Sequence, residues 1–112
     1  MNAANTFVRL AAAWGQTIEL VRGETLLGSG RAILRPILNG ERQFVPTDLG
    51  LERRETMLCL AEAALPFDPV PGETVVRQGA DSYDVVNVRP LRAGETLVCW
   101  RAILARRDGE AL

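Results

Sequence analysis

The residue types that most often do chemistry are scarce in this chain. There is no histidine among the 112 residues, which removes the commonest general base and the commonest metal ligand. The two cysteines, Cys59 and Cys99, each lie inside an apolar run, where cysteine usually serves as a small buried hydrophobic side chain. Two distant cysteines without histidine do not make a convincing zinc site.

The remaining polar patterns give equally little support for catalysis. Carboxylate pairs occur at Glu52/Glu55 and at Asp81/Asp84, but such pairs are expected by chance in a chain with 14 acidic residues. The segment of residues 28–30, Gly-Ser-Gly, lacks the further glycine, the lysine and the following helix of a phosphate-binding loop. The sequence therefore predicts a protein that is not an enzyme and that binds no cofactor or metal.

A basic surface with an aromatic platform is one alternative. Small β-barrels use such surfaces to bind single-stranded nucleic acid, and Trp100 lies among five arginines: Arg89, Arg92, Arg101, Arg106 and Arg107. The strand pattern, however, places Trp100 on the face shared with Val98 and Leu104, which favours core packing. The net charge of −1 also gives no overall attraction to nucleic acid.

Composition is that of an ordinary globular protein, with 47% apolar and 24% charged residues. We expect a single domain over residues 1–112, in the cytoplasm, because no segment resembles a secretory signal or is long enough to span a bilayer. All 13 basic residues are arginine. A G+C-rich genome is the first explanation of this bias, and intersubunit pairing of arginine with carboxylates is the second.

An amphipathic helix is predicted over residues 3–14, with Asn2 as its N-terminal cap. Its apolar side chains share one face at helical spacing, and this face is expected to pack on the chain's own core, with a partner subunit as the alternative. The stripe consists of Phe7, Leu10, Ala11 and Trp14. Gly15 is predicted to end the helix in a left-handed cap.

The rest of the chain reads as short extended runs between turn signals. Strands are predicted over residues 16–21, 26–37, 73–77, 82–89 and 95–106. Residues 28–30 would permit a bulge or a sharp bend, and Pro36 should lie at a strand end or edge. Residues 55–65 fit a helix by propensity and a strand buried on both faces by pattern, and we predict a strand. The fold class is mainly β: an antiparallel sheet with the N-terminal helix and one long loop.

The long loop is predicted over residues 38–53, where turn and breaker residues interrupt the periodicity: Asn39-Gly40, Pro46-Thr47-Asp48 and Gly50. Loops of this length in compact domains are usually functional or disordered. This loop is therefore the predicted working segment. Beside it, Arg53 and Arg54 are flanked by Glu52 and Glu55, which suits intersubunit ion pairs.

Several patterns follow one another from Gly30 to residue 107: a run ending in "RPI" at residues 35–37, the long loop, an apolar run at 58–60, "PGETVVRQGADSYDVVNVRPL" at 71–91 and "LVCWRAILARR" at 97–107. The fourth includes the pattern Y-x-V-x-x-V at residues 83–88. In this order the chain resembles the head-completion proteins of long-tailed bacteriophages, also called head-to-tail joining or stopper proteins. The helix at residues 3–14 departs from that family, which leaves tail-completion and tail-terminator proteins as alternatives.

The resemblance implies that the sheet is a small antiparallel β-barrel of about six strands over residues 16–107. Such a barrel forms a ring beneath the portal and adaptor proteins, closes the DNA-filled capsid and docks the tail. Such a protein assembles in the cytoplasm of the host bacterium and ends at the head–tail junction of the virion. Its long loop reaches the channel and the packaged DNA, and the gating residues would be Asn39, Gly40, Glu41, Arg42, Gln43 and Asp48. The subunit contacts would include Glu52, Arg53, Arg54 and Glu55. We expect the isolated chain to be a monomer or a weak oligomer.

Overall fold

The computed structural model describes residues 3–37, 43–47, 50–67 and 74–107, with backbone alone for Ala4 and for residues 43–47 and 50–54. Within these ranges the chain forms one helix and eight strands. They are α1 (Ala3–Trp14), β1 (Gln16–Arg22), β2 (Thr25–Pro36), β3 (Gln43–Thr47), β4 (Gly50–Arg54), β5 (Thr56–Glu62), β6 (Thr74–Gln78), β7 (Asp81–Ala93) and β8 (Thr96–Arg106). The prediction of a mainly β protein with an N-terminal helix is confirmed.

Six of the strands form a closed barrel in the order β1-β2-β5-β8-β7-β6. Every neighbouring pair is antiparallel, and the pairing of β1 with β6, which includes Leu20 opposite Val76, closes the ring of strands. Closure pairs each barrel strand on both sides over at least part of its length, while β7 beyond Asp84 pairs with β8 alone. The predicted antiparallel six-strand barrel is therefore confirmed.

The ambiguous segment at residues 55–65 contains the strand β5. Strand pairing on both sides decides against its helix propensity: Leu60 lies opposite Ile33 of β2 on one side and opposite Arg101 of β8 on the other. Cys59 and Ala61 alternate with Leu58 and Leu60, and the first two are fully buried. Tertiary context of this kind routinely overrides intrinsic propensity.

Three hairpins of the barrel use the same turn. Each has a two-residue connection whose first residue is a glycine with positive φ: Gly23 (64°), Gly79 (61°) and Gly94 (64°). Glycine at the first position is the requirement of a type II′ turn, whose twist matches that of the flanking strands. Two of these turns share the sequence Gly-Glu-Thr-Leu, at residues 23–26 and 94–97. These two turns lead into strands β2 and β8.

The barrel interior is filled by apolar side chains that alternate along the strands. Its buried members are Ile18, Leu20, Ala32, Cys59, Ala61, Leu65, Phe67, Val76, Tyr83, Val85, Ala102 and Leu104. Trp100 packs against this cluster, and its Nε1–H donates a hydrogen bond to the Ala63 carbonyl at 3.2 Å. The predicted role of Trp100 in core packing is confirmed.

Helix α1 packs on the outside of the barrel. Phe7 and Ala11 of the helix form a second buried cluster with Cys99 of β8. The half-buried side chains of Ile33, Leu60 and Val98 surround this second cluster. The predicted apolar stripe was wrong in part, because Leu10 is 47% and Trp14 76% exposed. Among the described side chains of α1, only Phe7 and Ala11, one helical turn apart, are buried, so Leu10 and Trp14 remain in solvent.

Gly15 does not form the predicted left-handed cap, since its φ is not positive. Its glycine identity has a different cause. A Cβ at this position would lie 2.4 Å from the Ala11 carbonyl oxygen and 2.8 Å from that of Ala32. The predicted bulge also lies elsewhere: the β1–β2 register shifts where Leu20 pairs with Gly28 and Val21 with Leu26, so Leu27 is the inserted residue. Pro36 is the last residue of β2, as predicted.

Candidate functional site

A hairpin outside the barrel occupies most of the segment predicted to be a loop. Strands β3 and β4 pair with each other, from Gln43 opposite Arg54 to Thr47 opposite Gly50, and form a separate two-stranded sheet. The prediction of a loop over residues 38–53 was therefore wrong for the nine residues 43–47 and 50–53. Of the turn signals, Pro46 and Thr47 end β3 and Gly50 begins β4, whereas Asn39, Gly40 and Asp48 lie outside the described residues. The periodicity of five-residue strands is too short to be recognised beside such residues.

One of the six predicted gating residues lies in the described part of this hairpin. Gln43 begins β3, opposite Arg54. The other five, Asn39, Gly40, Glu41, Arg42 and Asp48, lie outside the described residues. Their approach to a channel thus stays a prediction.

The predicted subunit-contact residues lie at the base of the hairpin. Glu52 and Arg53 pair through their backbones with Val45 and Phe44, and Arg54 ends β4. Glu55 separates β4 from β5, and its side chain is exposed. Its carboxylate lies 3.4 Å from the Arg106 guanidinium, so it already has a partner within its own chain.

An ion-pair cluster connects the hairpin base to the neighbouring strands. Arg106 Nη2 donates to the Asp81 carboxylate at 2.8 Å and Arg106 Nη1 to the Glu55 carboxylate at 3.4 Å. The backbone N–H of Arg106 also donates to the Glu55 carbonyl at 2.9 Å. Asp81, together with the bond to Glu55, raises the pKa of Arg106 above its ordinary value. Arg107 Nε donates to Asp84 at 2.8 Å. The sequence did not indicate these pairs, because they depend on strand register across the barrel.

A groove of about 340 Å³ lies on the outer face of the barrel, beside the point where the chain leaves β2. Its lining is Arg35, Pro36, Ile37, Leu58, Arg101 and Ile103. Leu58 lies opposite both Arg35 and Ile103 in the sheet, so the apolar side chains of β5 and β8 adjoin one guanidinium. Arg35 and Arg101 make no ion pair with any described residue. The groove therefore combines an apolar lining with two uncompensated positive charges.

The five arginines predicted as one basic surface are divided by the fold. Arg106 and Arg107 are held in ion pairs with carboxylates. Arg89 lies directly opposite Arg101 on the outer face, next to the groove. Trp100 packs against the barrel core, so its ring is not presented beside these arginines as a platform on which a base could stack. The arrangement thus lacks the aromatic half of a single-strand binding surface.

The described residues hold no group of three or more His, Cys, Asp or Glu side chains that could bind a metal ion. Cys59 and Cys99 are buried and free. Burial, with a smaller effect of Cys99, raises the pKa of Cys59 to about 12, and burial also raises the pKa of Cys99. Because the thiolate is the reactive form, burial disfavours reaction of both thiols in the folded protein at neutral pH. No helix in the described part of the chain is long and apolar enough to cross a membrane.

Comparison with known proteins found no matching family model and no matching curated protein.

Proposed function

We propose that this chain is a structural, non-enzymatic subunit of the head–tail connector of a bacteriophage or prophage. In this role copies of the chain form a ring that closes the DNA-filled capsid and docks the tail. The observation that carries the proposal is the separate β3–β4 hairpin, inserted between the barrel strands β2 and β5. The resemblance over residues 30–107 supplies the functional context.

A closed barrel suits a ring subunit physically. Each of its six strands has a partner on both sides over part of its length, so neighbouring copies can meet through side chains on its outer face, and such contacts can be specific. Rigid scaffolds commonly carry functional segments that project from them. The hairpin is such a segment, and its predicted task is to gate the channel through residues 39–43 and Asp48.

The ion-pair cluster supports this division of labour. Glu55 follows the last residue of β4, and Arg106 connects it to Asp81 at the start of β7. These contacts hold the base of the hairpin to the barrel at one point, while β3 and β4 pair only with each other among the described strands. A gate needs this combination of a fixed base and a tip that is free of the barrel sheet.

The helix α1 favours a second position in the same kind of particle. The barrel of head-completion proteins does not require a helix here, and α1 exposes Leu10 and Trp14 to solvent. An additional exposed apolar surface suits a tail-completion or tail-terminator ring, which also contacts tail proteins. The two positions differ in the particle that forms when the protein is absent.

The proposal is tested by in-frame deletion of the gene in the strain that carries it, followed by induction and electron microscopy of the particles. We expect mass spectrometry to detect the chain in wild-type particles. A connector role predicts that the deletion gives heads that leak or retain DNA without attached tails, together with free tails. Tails of abnormal length would indicate the tail-terminator position. Normal tailed, infectious particles without the chain would overturn both.

A further inference from the structure

The outer groove has the chemistry of a docking site for an acidic and apolar segment. Leu58 and Ile103 supply an apolar surface, and the guanidiniums of Arg35 and Arg101 lie at its sides without an ion pair among the described residues. Arg89 adds a third positive charge opposite Arg101. Like charges on adjacent strands repel each other, so an anionic partner would stabilise this arrangement.

The same chain displays a segment of matching chemistry at the β1–β2 turn. Glu24 is exposed and makes no ion pair with a described residue, and two positions later Leu26 is 55% exposed. A carboxylate and an isobutyl group therefore project from one tight turn. The turn is held by Gly23 with its φ of 64° and by the pairing of Arg22 with Thr25, so it is presented without further ordering.

The turn and the groove lie at opposite ends of strand β2. Leu26 is near the first residue of the strand and Arg35 near the last, which places them about 30 Å apart at the usual rise of a strand. One copy cannot bring these two surfaces together. A second copy can, and the contact is then head-to-tail.

We propose that the Glu24–Leu26 turn of one copy docks into the Arg35–Arg101 groove of the next. Glu24 lies between the guanidiniums, and Leu26 packs on Leu58 and Ile103. A head-to-tail contact of this kind repeats from copy to copy and produces a closed ring or an open filament, according to the rotation between neighbours. This contact rests on the proposed ring function and deepens it by naming the surfaces that join the subunits.

Charge reversal tests the contact. Wild-type protein is expected to self-associate between micromolar and millimolar concentration in sedimentation velocity, with shifts of the Glu24 and Arg101 amide resonances and weaker association at high salt. Each of Arg101→Glu and Glu24→Arg should weaken self-association about tenfold or more. Leu26→Ser should weaken it without changing charge. Arg92→Glu, at an exposed arginine of β7 outside the groove, is the matched control and should leave it unchanged.

Mixing the two reversed variants is the decisive arm. In the mixture, Glu24 of the Arg101→Glu variant meets the native groove of its partner, and the arginine of the Glu24→Arg variant meets the glutamate in the reversed groove. Association in the mixture should therefore return towards the wild-type strength, although each variant alone associates about tenfold or more weakly. Circular dichroism confirms that each variant is folded.

Three results overturn the proposal: a wild type that stays monomeric with unchanged resonances up to millimolar concentration, a mixture that does not recover, or a control that weakens as much as Arg101→Glu. Binding of an acidic peptide or a single-stranded oligonucleotide at Arg101 by a protein that stays monomeric would assign the groove to that partner instead. The result of this self-association test does not depend on whether the chain is found in phage particles. A chain found in particles whose contact fails this test uses another surface to form its ring.

Discussion

The guanidinium of Arg31 donates a hydrogen bond to the Gly15 carbonyl at 2.9 Å, and thereby joins strand β2 to the end of helix α1. The same side chain also donates to the carbonyls of Ala12, at 3.1 Å, and Ala11, at 3.3 Å. Ala11 and Ala12 lie in the last turn of the helix and Gly15 directly follows it, at the negative end of the helix dipole. The Ala11 carbonyl also accepts a hydrogen bond from the Gly15 N–H at 2.8 Å. One arginine therefore caps α1 and fastens it to the barrel.

Replacing Arg31 should loosen the helix and lower stability. We expect Arg31→Ala to reduce the free energy of unfolding by about 1–3 kcal/mol, because charge-assisted hydrogen bonds are lost. Arg31→Lys should recover only part of this loss, since one ammonium group does not have the planar, forked donors with which Arg31 reaches three carbonyls. Urea unfolding measures the change, and hydrogen exchange should show faster exchange in α1. The matched control is Arg92→Ala, expected within about 0.5 kcal/mol of wild type, and an equal loss there would contradict the capping role.

Gly15 should not tolerate a side chain, because its contacts are with backbone. Gly15→Ala places a Cβ 2.4 Å from the Ala11 oxygen and 2.8 Å from that of Ala32, so helix and strand must separate. We expect a loss of about 1–3 kcal/mol or more in urea unfolding. Gly23→Ala is the comparison: its Cβ meets nothing within 4 Å, and its cost of about 1–2 kcal/mol comes from the positive φ alone. A native helix with unchanged stability in Gly15→Ala would disprove the close approach.

Cys59 predicts a loss of stability at high pH. Its pKa in the folded protein is raised to about 12 by burial, whereas an exposed thiol titrates near 8.5. The contribution is fully present below the unfolded-state pKa. Above it the unfolded chain loses the proton first, so the free energy of unfolding falls as pH rises towards about 12. Urea unfolding from about pH 8 to about pH 11 measures how steeply the free energy of unfolding falls with pH. This dependence should be shallower in Cys59→Ala. The same slope in both proteins would assign the effect to other groups, such as Tyr83, whose pKa burial also raises.

The β3–β4 hairpin should be dispensable for folding. Deletion of residues 39–50 leaves 37, 38 and 51–55 to connect β2 and β5, and removes no pair of the barrel sheet. Because loop-closure entropy changes slowly with length, we expect circular dichroism and the urea midpoint to stay close to wild type. Particles assembled from the deleted chain should form but fail to retain DNA. An unfolded deletion variant would show that the hairpin is structural and would remove the gating proposal.

The barrel strands were largely predictable because their signals are local. Glycines at Gly79 and Gly94 and alternating apolar residues indicate strands and turns within a few residues of one another. Strand β5 was predicted only through its neighbours, since its own residues favour a helix. Strands β3 and β4 were missed, because five-residue strands rich in turn residues carry too little periodicity.

The site residues were harder to predict because each depends on chain segments far apart. Arg31 reads as an ordinary strand arginine, and no local pattern shows that it meets the end of α1 sixteen to twenty residues earlier. The groove joins the end of β2 to Leu58 and to Arg101. Arg101 was among the predicted basic residues. That it lies opposite Arg89, and beside no carboxylate partner among the described residues, follows only from the strand register.

The amino-acid sequence by itself determined the helix, most strands, the glycine turns and the scarcity of reactive groups, because these depend on residue type and on backbone preferences over a few residues. Only the tertiary structure decided that the sheet closes through β1 and β6, that the hairpin stands apart from it, and that Gly15 is a site of close backbone approach. These features are set by pairing and packing between segments distant in sequence. The free energy of such contacts depends on which side chains meet, and local pattern does not specify that.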